Sequence, residues 1–106
     1  MPRTLINVPK TAKAGEIVEV RAMIAHPMET GQRMGVNGAM IPRDIVNRFV
    51  CTYGSEVVFA ADLWPAVSAN PFLSFSLRAK EAGVITFSWT EDSGAVHVAT
   101  ADITVT

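Results

Sequence analysis

The chain has 106 residues, 49% of them hydrophobic and 18% charged, with nine basic side chains against ten acidic for a net charge of −1. This composition excludes a disordered chain, and the balanced charge removes the electrostatic case for nucleic acid or an acidic membrane surface as partner. One cysteine excludes an internal disulfide, and the longest apolar run, Val57 to Ala61, falls far short of the roughly 20 residues a membrane-spanning helix needs. The length predicts one domain over residues 1–106. A mean hydropathy of +0.27 is high for so small a chain and predicts apolar surface left over for a partner.

The hydrophobic period is two almost throughout. Thr4 to Val8 reads as an edge strand stopped by Pro9. From Glu16 to Ile24, Val18, Val20, Ala22 and Ile24 alternate with Ile17, Glu19, Arg21 and Met23, a half-buried strand pattern. About twenty irregular residues follow, more than compact domains usually tolerate without a functional reason. Within them Asn37-Gly38 is suited to turn a small hairpin. Asn47 to Tyr53 and Glu56 to Asp62 read as a hairpin across Gly54-Ser55. The prolines of Trp64 to Pro71 mark a crossover. Leu73, Phe75, Leu77 and Ala79 alternate with polar residues, as do Ile85, Phe87 and Trp89. Val96 to Val105 closes the series, and its change of phase near Ala99 to Ala101 predicts a bulge. No helical period persists. About seven short strands predict an all-β fold, an immunoglobulin-like antiparallel β-sandwich.

The chemistry of the side chains points away from catalysis. Cys51 lies mid-strand with no neighbouring base to activate it except Arg48 three positions away, so it reads as a core residue. His26 and His97 with Met28, Met34 and Met40 suit copper(I), since thioether and imidazole are its preferred ligands. The sequence after Cys51 lacks the closely following histidine and methionine of a type I copper sandwich. A looser copper(I) site using His26 and the loop methionines remains an alternative. Glu91-Asp92 reads as a solvated hairpin tip. No nucleophile elbow and no glycine-rich phosphate cradle is present.

The long loop, His26-Pro27-Met28-Glu29-Thr30-Gly31-Gln32-Arg33, followed by Ile41-Pro42-Arg43 and by Ser68-Ala69-Asn70-Pro71-Phe72, resembles the SoxZ family of the bacterial sulfur-oxidising system. The likeness extends over nearly the whole chain, including Ala14-Gly15-Glu16, Asn47-Arg48-Phe49 and Ile85-Thr86-Phe87. It implies a non-catalytic, cofactor-free subunit that pairs with SoxY, whose C-terminal cysteine carries the sulfur intermediates of thiosulfate oxidation. It further implies transient contacts with the pathway enzymes and leaves self-association open to the isolated chain. His26, Met28, Glu29, Gln32, Arg33, Met34, Met40, Ser68 and Asn70 become the expected partner-recognition residues. Two departures stand out. Met34 to Met40 is uncharged where the family is usually charged, so an apolar contact is expected there, and Trp64 replaces an expected smaller or more polar residue. The N-terminus shows no signal-peptide pattern, which by itself favours the cytoplasm; the resemblance instead implies export together with SoxY to the periplasm. The other reading, from a different class, is a stand-alone periplasmic copper(I)-binding sandwich.

Overall fold

A computed structural model describes residues 3–106; Met1 and Pro2, part of the N-terminal reading above, lie outside the described residues. Eight strands follow in chain order: β1 Thr4–Asn7, β2 Thr11–Ala12, β3 Ile17–Ile24, β4 Val46–Tyr53, β5 Glu56–Asp62, β6 Phe72–Arg78, β7 Gly83–Glu91 and β8 Val96–Val105. They form two sheets, ordered β1-β3-β6 and β2-β8-β7-β4-β5. All the pairings are antiparallel except β2 with β8. The eighth strand and its parallel pairing arise together. Pro9 ends β1, the chain crosses to the other sheet, and Thr11 and Ala12 align with Thr104 and Val105.

The period-two pattern is what buries the core. Val18, Val20, Ala22 and Ile24 of β3 are buried, as are Phe49 and Cys51 of β4 and Ile85, Phe87 and Trp89 of β7. Phe49 sits at the centre, its ring 5.4 Å from that of Trp89, 6.1 Å from Phe59 and Phe75 and 6.3 Å from Phe87. Aromatic groups at these separations add to the area they remove from water, so Phe49 ties both sheets together. The buried Trp89 indole N–H has no hydrogen-bond partner among the described residues.

The bulge predicted in β8 is absent. The register with β7 runs without a shift from Gly83 opposite Ile103 to Thr90 opposite Val96. Val96 and Val98 are outward-facing valines, about half exposed, and they mimic a change of phase. The inward positions are His97, Ala99, Ala101, Ile103 and Val105, the more buried residues of the strand. The bulges flank β4 instead: Val58 of β5 is the extra residue opposite Cys51 and Thr52, and Asn47 of β4 is the extra residue against β7.

Candidate functional site

The long connection between β3 and β4 is fastened at its base by side chains from three distant segments. Ala25 N–H donates to the Arg3 carbonyl at 2.8 Å. At His26 the backbone N–H donates to Asn70 Oδ1 at 3.0 Å, and the Asn70 N–H returns a bond to the His26 carbonyl at 2.7 Å. Asn70 holds φ of +54°, a left-handed conformation that asparagine tolerates better than most residues. Met28 holds the same φ. Its N–H donates to His26 Nδ1 at 3.0 Å, and its sulfur accepts from the Val46 N–H at 3.3 Å.

These bonds determine the state of His26. A ring nitrogen that accepts from an amide carries no proton, so the proton of neutral His26 resides on Nε2 and is donated to Glu91 Oε1 at 2.7 Å. The other Glu91 oxygen accepts from His97 Nε2 at 2.5 Å. One carboxylate thus bridges an imidazole from the loop and one from β8. The His97 bond, followed by that of His26, holds the Glu91 carboxyl below its ordinary value against the opposing effect of burial.

Asp92 forms the second fastening. Its carboxylate accepts from Arg43 Nε at 2.8 Å and Nη2 at 2.9 Å, from Asn47 Nδ2 at 3.0 Å and from the Ile45 N–H at 3.2 Å. Arg43 above all, and then Asn47 and the Ile45 amide, hold the Asp92 carboxyl down to about 2. Between the two fastenings the loop pairs with itself. Glu29 and Asp44 exchange two 2.9 Å backbone bonds, and Ile41 N–H donates to the Arg33 carbonyl at 2.8 Å. Gly31, with φ of +81°, lies so close to Arg43 that a Cβ on it would stand 2.9 Å from the Arg43 Cβ.

Beyond this ladder the chain runs out as the short hairpin expected at Asn37-Gly38. Met34 bridges Met40, and Gly35 N–H donates to the Ala39 carbonyl at 2.8 Å. Met34 is 63% exposed, Met40 55%, and Val36 wholly exposed. No residue from Met34 to Pro42 is charged.

The expected recognition residues therefore divide into two groups. Gln32, Arg33, Met34, Met40 and Ser68 are exposed. His26 and Met28 are buried within this chain and serve as anchors of the loop, and Asn70 holds the His26 backbone. Glu29 and Arg33 are spent on each other in a 2.5 Å ion pair across one turn of the loop. The reading of Glu91 and Asp92 is corrected: they are partly buried hubs, not a solvated tip. Sequence reasoning missed them because their partners, Arg43, Asn47, His26 and His97, arrive from elsewhere in the chain. The inward phase of His97 was the available signal, and Val96 and Val98 obscured it.

The donor set fits a metal poorly. Ligand atoms of His26, Asp44 and Glu91 lie within 4.8 Å of one another. A cation on His26 Nε2 would drive the ring proton to Nδ1, against the Met28 N–H. The copper(I) alternative fails for a related reason. Both His26 nitrogens and the Met28 sulfur are already bonded, while Met34 and Met40 face each other on the arm. Burial pushes the Cys51 thiol up to about 12, so no useful thiolate forms there.

A family model described as "Sulphur oxidation protein SoxZ" matches residues 6–102. No curated protein matches the chain. Among solved structures, the superoxide reductase (neelaredoxin) from Ignicoccus hospitalis is similar at 18% identity, with 99% of this chain and 82% of that chain covered and a TM-score of 0.79. The sulfur carrier protein SoxY from Chlorobium limicola f thiosulfatophilum is also 18% identical, over 97% of this chain and 78% of that one, with a TM-score of 0.68. The CARDB domain of the PF1109 protein from Pyrococcus furiosus is 14% identical over 98% of this chain and 93% of that one, with a TM-score of 0.52. At these identities the likeness is one of fold alone.

Proposed function

The chain belongs to the SoxZ family, and from that premise we propose that it is the non-catalytic subunit of a SoxYZ-type heterodimeric sulfur carrier. It holds SoxY, whose cysteine bears the sulfur intermediates of thiosulfate oxidation, and helps present that cysteine to the pathway enzymes. The work takes place in the periplasm, with this chain exported alongside SoxY, and residues 1–106 act as one domain.

The observation that carries this reading is the arm. An uncharged hairpin with Met34, Val36 and Met40 exposed is held in place by two networks of partly buried charge. Flexible, polarisable methionines are suited to packing against another protein. The one thiol is buried and protonated, which favours a chain that holds the chemistry over one that performs it. Sulfur transfer in this account belongs wholly to SoxY.

Changing Met34 and Met40 together to serine removes apolar contact without adding charge. Binding to SoxY or to one pathway enzyme is expected to weaken about tenfold, from roughly 1 kcal/mol of lost burial or somewhat more, with the melting temperature unchanged. Isothermal titration against SoxY and each enzyme measures it. Unaltered affinity for all of them would remove the arm from recognition, and failure to copurify with SoxY would remove the heterodimer itself.

A further inference from the structure

β6 is the open edge of the three-stranded sheet, bonded to β3 on one side only. Natural edges are usually protected by shortness, proline, inward charge or a bulge. β1, the opposite edge, is four residues long and is followed by Pro9. β2 has two residues. β5 is acidic at both ends, and its pairing with β4 is interrupted by a bulge. β6 follows Pro71 directly, but within its seven residues it has no proline, no inward charge and no bulge. Its sequence, Phe72-Leu73-Ser74-Phe75-Ser76-Leu77-Arg78, pairs with β3 in unbroken register and contains a single charge.

The hydrogen-bond phase identifies the free groups. Ala79 N–H donates to the Glu16 carbonyl and Ile24 N–H to the Pro71 carbonyl, so Leu73, Phe75 and Leu77 share the phase directed at β3. Phe72, Ser74, Ser76 and Arg78 direct their amides and carbonyls to the open side. The geometry points to a second copy of this chain as what pairs with them, antiparallel, about a two-fold axis through Phe75.

That register is self-complementary. Phe72 lies opposite Arg78 of the second copy and Ser74 opposite its Ser76, so the four free positions exchange about eight backbone hydrogen bonds. Arg78, whose guanidinium donates to the Gly15 carbonyl of its own chain at 2.8 Å, meets an aromatic residue and not another cation across the pair. Phe75 meets its own image at the axis. It already stacks on Phe59 with centroids 4.5 Å apart and rings 7° from parallel, so the aromatic stack continues through the dyad. The same operation on β5 about Phe59 sets Glu56 against Asp62 of the other copy. Among the described residues each of these carboxylates pairs with a cation of its own chain, Lys80 with Glu56 and Arg48 with Asp62, so the two carboxylates meet without a cation between them. Charge therefore selects β6, and the two three-stranded sheets merge into one of six strands. This inference is independent of the SoxYZ reading.

Sedimentation equilibrium of the isolated full chain, from micromolar to millimolar, tests it. The expected species has twice the 11.4 kDa chain mass. Ser76→Pro removes an amide that β3 does not use, and the double change Ser74→Lys with Ser76→Lys places lysines opposite one another across the dyad. Each is expected to raise the dissociation constant at least tenfold with strand content by circular dichroism unchanged. Should the proline variant fail to fold, the lysine pair decides. Ala60→Lys on β5 is expected to leave the dimer intact. A wild-type chain that stays monomeric to millimolar concentration, including one that pairs only with SoxY, would overturn the inference. So would a dimer that survives the lysine pair or is broken by Ala60→Lys.

Discussion

Replacing Asp92 with alanine removes the acceptor shared by Arg43, Asn47 and the Ile45 amide. Ile45 is fully buried, so its N–H loses a partner where water does not readily substitute, at a cost of about 1–3 kcal/mol. The Asn47 bond adds about 0.5–1 kcal/mol, and the solvent-screened Arg43 pair adds little beside it. A loss of about 2–4 kcal/mol is expected, or about 10–20 °C in melting temperature for a domain of this size. Asp92→Asn retains one oxygen and loses roughly half as much. The carboxyl also carries a pH signature. Its folded value, about 2, lies below the ordinary 3.8. The stabilisation is therefore complete above pH 4 and disappears as pH falls through 2, by about 1–2 kcal/mol after screening at the exposed arginine. Urea unfolding of wild type, Asp92→Ala and Asp92→Asn at pH 7, 4 and 2.5 measures both effects. A stability within 0.5 kcal/mol of wild type for Asp92→Ala, or an Asp92→Asn protein with an undiminished acid slope over that window, would refute the reasoning.

The remaining expectations concern single sites. Cys51 reacts slowly with a thiol reagent in the native protein and rapidly in denaturant, because burial keeps it protonated and covered. Cys51→Ala costs about 1 kcal/mol in chemical denaturation and leaves sulfur transfer by the complex intact; loss of transfer in the folded variant would return the chemistry to this chain. Gly31→Ala meets both an unfavourable φ and the Arg43 Cβ, so a loss of about 1–3 kcal/mol is expected by thermal melting, and a neutral result would mean the loop yields easily.

Sandwich architecture was legible because it depends on a local rule. Alternate side chains of a strand face opposite ways, so Val18, Val20, Ala22 and Ile24 announce a buried face without knowledge of what covers it. The same locality made the Asn37-Gly38 hairpin and the Gly54-Ser55 turn readable, and made the family recognisable from the His26 to Arg33 stretch. It failed in β8, where Val96 and Val98 face solvent and the inward phase belongs to His97 and the small residues Ala99 and Ala101. Apolarity is a good guide to burial only when the outward face is polar.

The loop's anchors were beyond any local rule. His26 and Glu91 are 65 positions apart, and Arg43 and Asp92 49. Nothing in either neighbourhood reveals that a carboxylate at the end of β7 meets an imidazole leaving β3. The pairing exists because the two sheets stack, which brings the ends of β3 and β7 to one end of the sandwich. The sequence by itself determined strand, turn, family and the apolar character of the arm, all written in neighbouring residues. The tertiary structure alone decided that His26 and Met28 are buried supports, that Glu91 and Asp92 are hubs, and that β6 is open on one side, because each depends on groups brought together only when the sheets close over Phe49.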